Sequence, residues 1–130
     1  MGAPAAKQGD RIQAVDTHLV LDSSGVLLPP VQLPFGGQLA NDLSTRVKID
    51  GKPAAVVGSA AENEPHHLPP PKTTFQTAPS NLGKVTAGSA RVRIEGRAAA
   101  RAGDPAETCT DAPPAVPGLV VATGRKVRFG

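Results

Sequence analysis

The chain repeats itself, and this repeat limits its fold more than any other feature of the sequence. The segment VKIDGKPAAVVG (residues 47–58) returns 45 positions later as VRIEGRAAARAG (residues 92–103). A third copy is divided between the chain ends, because PAAKQGD at residues 4–10 matches the second half of the unit and KVRF at residues 126–129 matches the first half. Internal repetition indicates a fold built from equivalent units. If the last strand pairs beside the first segment, three units close around a pseudo-three-fold axis without unpaired repeat edges.

Each repeat predicts a short β-hairpin. Residues 46–50 alternate charged and apolar side chains, which is the period of a half-buried strand. Gly51 can adopt a positive φ in the tight turn that follows, and residues 53–57 return as a second strand. The alanines of the return strand are small enough for three strands to converge on one axis. We therefore predict an all-β fold, a compact cone of short strands in three pseudo-symmetric repeats with long loops rich in Pro and Gly.

The segments between the repeats carry few signals of regular structure. Residues 25–44 hold several prolines and a Gly-Gly pair without helical periodicity, and we expect an ordered loop with a short hairpin. Residues 60–63 can form a single helical turn. At 130 residues the whole chain, 1–130, is expected to form one domain. The core must be thin, because the chain has three Phe and neither Trp nor Tyr, and a thin core favours a metal staple.

Composition limits the partners and the compartment. The net charge of +3 and the basic strand faces leave nucleic-acid binding open, but the lack of aromatic stacking platforms argues against single strands. Cys109 is the only cysteine, so no internal disulfide forms. No apolar segment of signal-peptide length is found, and we expect assembly in the cytoplasm and export as part of a larger particle. The basic residues of the strand faces are Arg46, Lys48, Arg91, Arg93, Arg125, Lys126 and Arg128.

Four residues of the types that bind zinc lie in or beside the loops. They are His18, His66, His67 and Cys109. His18 and His67 each follow the Gly turn of their unit at the same interval, and Cys109 lies slightly closer to its own turn. Three-fold closure brings these segments together, and three imidazoles with one thiolate complete a closed, tetrahedral structural zinc site. We predict one zinc ion at the tip in preference to iron. Adjacent His66 and His67 can both ligate only from an irregular loop, because neighbouring strand side chains point to opposite faces.

The repeated motifs resemble the Pro-Ala-Ala-Arg repeat (PAAR) proteins. The likeness rests on PAAK at residues 4–7 with GD at 9–10, KPAA at 52–55, and RAAAR at 97–101 with GD at 103–104. PAAR proteins are the conical tips of spikes in contractile injection systems, including type VI secretion, and hold a metal through three His and one Cys. Carried over, the resemblance implies the ligands His18, His66, His67 and Cys109. Two departures are the adjacent histidines and Leu19-Val20 where a Gly-Gly pair is expected after His18.

The resemblance implies a structural role and no enzymatic activity. One monomer would cap and sharpen the blunt end of a trimeric β-helical spike by adding its strand edges to the spike's three chains. Effector cargo and, transiently, the target membrane would be further partners, with no nucleic acid. The machine is either a type VI system or a phage-tail-like extracellular particle.

Two other functions stay open from the sequence. A zinc hydrolase requires an open water position at the metal, which arises if His66 or His67 does not ligate. The sequence has no H-E-x-x-H motif, and only Glu62 and Glu64 lie close to the paired histidines. A small nucleic-acid-binding β module would use the basic strand faces and show salt-dependent binding.

Overall fold

The computed structural model describes residues 2–113, 115–124 and 126–130, and within these ranges the chain is all-β, as predicted. Arg125, one of the predicted basic residues, lies outside the described residues. No helix in the described ranges is long and apolar enough to cross a membrane. The strands are β1 (Ala3–Pro4), β2 (Arg11–His18), β3 (Val20–Leu21), β4 (Val31–Asn41), β5 (Lys48–Ile49), β6 (Lys52–Pro53), β7 (Ala60–Glu62), β8 (Thr74–Phe75), β9 (Leu82–Val85), β10 (Arg93–Ile94), β11 (Arg97–Ala98), β12 (Pro105–Glu107), β13 (Gly118–Val121) and β14 (Arg128–Phe129).

The repeated segments form short hairpins at one end of the molecule, which we call the base. Strands β5 and β6 make one hairpin and β10 and β11 make the next. The third is divided, because β14 from the end of the chain pairs with β1 from its beginning. Lys48 lies opposite Pro53, and the divided hairpin repeats this pairing with Arg128 opposite Pro4. The predicted closure of the third unit by the last strand is therefore confirmed.

A ring of alanine hydrogen bonds joins the units at the axis. Ala6 donates its backbone N–H to the Ala100 carbonyl, Ala100 donates to Ala55, and Ala55 donates back to Ala6, each at 3.0 Å. All three alanines are fully buried. A larger side chain at these positions would hold the strands apart, so the small residues of the repeat are what allows the ring to close.

Above the base, three longer hairpins form a closed barrel in the order β12–β13–β2–β4–β7–β9. Strands β2, β7 and β12 each start just after the Gly turn of their repeat, so the barrel inherits the three-fold arrangement. The equivalent positions Ile12, Ala61 and Ala106 all point into the core and are buried. Phe35, Leu39, Val85 and Val120 complete this core with the axial alanines. The loops that connect the two strands of each long hairpin lie at the end opposite the base, which we call the loop end.

Two local predictions were wrong. Residues 31–41 form one long strand rather than a loop with a short hairpin, and residues 60–62 form β7 rather than a helical turn. Pro34 is tolerated because β4 pairs with β7 only through Leu39–Asn41, so no ladder bond from its missing N–H is needed there. Gly37 lets the two strands approach closely, since a Cβ at this position would lie 2.2 Å from the Glu62 carbonyl oxygen. Prolines and glycines that usually indicate loops are therefore built into a strand.

Candidate metal centre

Four metal-binding side chains meet at the loop end of the barrel. Asp16 and His18 lie two residues apart near the end of β2 and therefore share one face of the strand. His67 comes from the segment between β7 and β9, and Cys109 follows β12. One ligand atom from each of the four lies within 4.8 Å of every other, which is close enough to hold one metal ion. Each of the three barrel hairpins thus contributes to a single site.

The site is compact and shielded from solvent. Asp16 and His18 are fully buried, and His67 is 8% exposed. Asp16 Oδ2 lies 2.8 Å from His67 Nε2 and 3.1 Å from Cys109 Sγ. Cys109 Sγ lies 3.8 Å from His18 Nε2. A carboxylate buried this deeply is costly unless it is paired, and Asp16 accepts hydrogen bonds from His67, Cys109 and the Thr108 hydroxyl.

The thiol of Cys109 is protonated when no metal is present. Burial raises the pKa of Cys109 to about 12, and the hydrogen bond to Asp16 and the charge of that carboxylate act in the same direction. The thiol therefore donates to Asp16 at neutral pH. Because a metal binds the thiolate, loading the site releases this proton.

An asparagine pair holds His67 in place. Asn63 Oδ1 accepts a hydrogen bond from the Gly36 N–H, so its amide nitrogen faces His67 Nδ1 at 3.2 Å. Asn81 Oδ1 accepts from both the His67 backbone N–H and the Asn63 amide. His67 Nδ1 is consequently an acceptor, and Nε2 carries the proton donated to Asp16. A metal at Nε2 would move that proton to Nδ1 and require the Asn63 amide to turn over.

The donor set has the chemical composition of a metal site. It supplies one carboxylate, two imidazoles and one thiol, which are all zinc ligands and number the four of a closed structural site. His18 presents its Nε2 to the group, 3.8 Å from Cys109 Sγ, while its buried Nδ1 lies 3.3 Å from Asp111 Oδ2 on the other side of the ring. The buried group can therefore hold a metal ion.

His66 lies away from this group. Its side chain is exposed and pairs with Glu62, and with Glu64 it forms a separate surface cluster. His66 and His67 are adjacent and point in different directions, one to solvent and the other inward. Of the four predicted ligands the structure brings together His18, His67 and Cys109, with Asp16 as the fourth member. The sequence does contain a signal for Asp16, because a residue two positions before His18 shares its face wherever the chain is extended.

A scan of protein-family models finds no match to this chain, and no curated protein is detectably similar to it in sequence. The resemblance to PAAR proteins therefore continues to rest on the three short motifs and their spacing.

Proposed function

We propose that the protein is a structural spike tip of a contractile injection system, capping a trimeric β-helical spike and sharpening it for membrane puncture. The observation that carries the proposal is the closure of one chain into three like units, completed by the divided hairpin of β14 and β1. A monomer with internal three-fold symmetry presents the same edge three times. It can therefore match a true homotrimer, one copy per trimer, and this is the geometry that the PAAR resemblance implies.

The positive charges of the base favour a partner that carries acidic groups in a three-fold arrangement. Two sets of cations lie at equivalent positions of the three units, and every member is exposed. Such charges at the rim of an interface mainly raise the rate and the specificity of association, while strand-edge hydrogen bonds supply affinity. We call these sets the base rings, and they consist of Arg46, Arg91 and Lys126, and of Lys48, Arg93 and Arg128.

A metal ion bound by the buried group would cross-link the segments at the loop end of the barrel. Asp16, His18, His67 and Cys109 would hold it, and zinc is the ion best suited to mixed thiolate and imidazole ligation. When bound, the ion supplies folding free energy by fastening two loop segments to the end of β2. Four protein ligands leave no open position for a catalytic water, which favours this structural role over a zinc hydrolase.

The test is binding to the trimeric spike protein encoded in the same genome. Light scattering after gel filtration should give one monomer per trimer. Lys48→Glu with Arg93→Glu should weaken binding at least tenfold, because it reverses two charges of the base rings. The matched control, Lys72→Glu with Lys84→Glu, makes the same change in charge at exposed positions away from the base and should bind normally. No binding of the unsubstituted chain to the trimer at low salt would refute the proposal.

The two alternatives give different results with the same material. Salt-dependent binding to duplex DNA, lost in the base-ring variant, would support the nucleic-acid module instead. Ester or peptide hydrolysis that disappears with a chelator would support the hydrolase.

A further inference from the structure

We infer that Asp111 is the positioning residue of the metal centre. It would accept a hydrogen bond from His18 Nδ1–H when His18 binds a metal through Nε2, and so fix that ring and raise its basicity. This inference rests on the proposed metal site and adds to it a residue outside the ligand set.

The segment that carries Asp111 is fastened along the end of β2. We call residues 108–111 the clamp segment. The Thr108 hydroxyl donates to Asp16 Oδ1, and the Thr110 hydroxyl accepts from the Thr17 N–H at 2.7 Å. The Asp111 backbone N–H donates to the Thr17 carbonyl at 3.0 Å. These bonds hold the clamp segment in register with β2 and place Asp111 beside the end of that strand.

His18 needs an acceptor at its second nitrogen. Its Nε2 faces the centre of the site, 3.8 Å from Cys109 Sγ, and when Nε2 gives its lone pair to a metal the ring proton must lie on Nδ1. That nitrogen is buried and has no hydrogen-bond partner in the described part of the chain. Asp111 Oδ2 lies 3.3 Å from this nitrogen but outside hydrogen-bond geometry. A small movement of the carboxylate completes the bond.

The ring itself has little freedom to seek another partner. His18 packs edge-on against Phe75 with ring centroids 5.5 Å apart, and against His67 at 5.0 Å. His67 is held differently, because its Nδ1 faces the Asn63 amide rather than a carboxylate. Asp111 is partly exposed, with 28% of its side chain accessible, and its charge offsets that of the ion without being buried itself. A carboxylate that accepts from a ligating histidine characteristically strengthens metal binding 10- to 100-fold.

The experiment measures zinc affinity by competition with a chromophoric chelator, using the full chain and three variants. Asp111→Ala should weaken zinc binding roughly 10- to 100-fold. Asp111→Asn should weaken zinc binding less, because the amide oxygen can still accept a hydrogen bond from His18 Nδ1–H. Glu107→Ala, which removes an exposed carboxylate from the adjoining strand, should bind zinc normally.

A second measurement distinguishes a role in positioning His18 from a general contribution to the stability of the fold. Cobalt(II) bound to Asp111→Ala should show a shifted ligand-field spectrum, whereas the metal-free variant should melt at the same temperature as the unsubstituted metal-free chain. Equal zinc affinity and an equal cobalt spectrum in Asp111→Ala and the unsubstituted chain would overturn the role of Asp111 while leaving the metal site intact. Failure of the unsubstituted chain to bind zinc or cobalt would overturn both.

Discussion

Replacing Gly37 by alanine should destabilise the barrel more than the addition of a single methyl group usually does. The added Cβ would lie 2.2 Å from the Glu62 carbonyl oxygen and 2.7 Å from the carbonyl carbon. These are backbone atoms, so β4 and β7 must separate by roughly 1 Å to restore ordinary van der Waals contact. Overpacking of this kind costs about 1–3 kcal/mol, and the weakened pairing near Leu39 and Ala61 adds about 1 kcal/mol. We expect a loss of about 3 kcal/mol in unfolding free energy, or a fall of roughly 10 °C in Tm.

The neighbouring residue provides the control. A Cβ at Gly36 would meet only the Arg11 guanidinium at 2.8 Å, the far end of a flexible side chain that can turn aside. Both substitutions restrict the unfolded chain equally. Urea and thermal unfolding in the presence of a chelator should therefore leave Gly36→Ala within about 1 kcal/mol of the unsubstituted chain. Equal destabilisation by the two substitutions would refute the reasoning from close strand approach.

Four further predictions concern the metal centre and the axis. Elemental analysis should find one zinc per chain, lost in His67→Ala but kept in His66→Ala, because only His67 faces the buried group; zinc loss in both would contradict the assignment. Since the pKa of Cys109 is raised to about 12 from an ordinary 9.0, iodoacetamide at pH 8 should alkylate the folded, metal-free chain on the order of 1000-fold more slowly than the urea-unfolded chain, measured by mass spectrometry. Because the folded chain keeps the thiol proton to higher pH than the unfolded chain does, the unfolding free energy of the metal-free chain should fall as pH rises above about 9. An unfolding free energy that does not change with pH would contradict the raised pKa. Ala55→Val should lower the unfolding free energy by about 1–3 kcal/mol in denaturant titrations by crowding the axial ring, and no change would show that the ring has room.

The repeat was sufficient to predict the all-β fold and its closure, because the same alternating segment returns at a fixed interval and only pairing between β14 and β1 supplies a complete third unit. The members of the buried metal-binding group are harder to predict from the sequence. Aspartate is common on exposed strands, and the burial of Asp16 depends on loops from two other hairpins, which the sequence does not reveal. The adjacent His66 and His67 look equivalent in sequence. Their directions differ once residues 63–67 leave the barrel.

The long strand β4 shows a different limit. Pro34, Gly36 and Gly37 each weaken an isolated strand, so local preferences indicate a loop. In the barrel, however, Pro34 lies beyond the β7 pairing, and Gly37 allows the close approach to Glu62. Gly36 accepts a hydrogen bond from the Glu64 N–H and donates one to Asn63 Oδ1, both in the segment after β7. These reasons depend on neighbours distant in sequence, which local periodicity cannot reveal.

The axial ring of Ala6, Ala55 and Ala100 has a mechanical consequence. Each strand donates to one neighbour and accepts from the other, so the ring has no terminal bond from which it can be peeled open. Pulling out any one strand therefore requires two hydrogen bonds of the ring to break together. If the protein is the proposed spike tip, a thrust along the axis would be shared by three equivalent strands rather than carried by one.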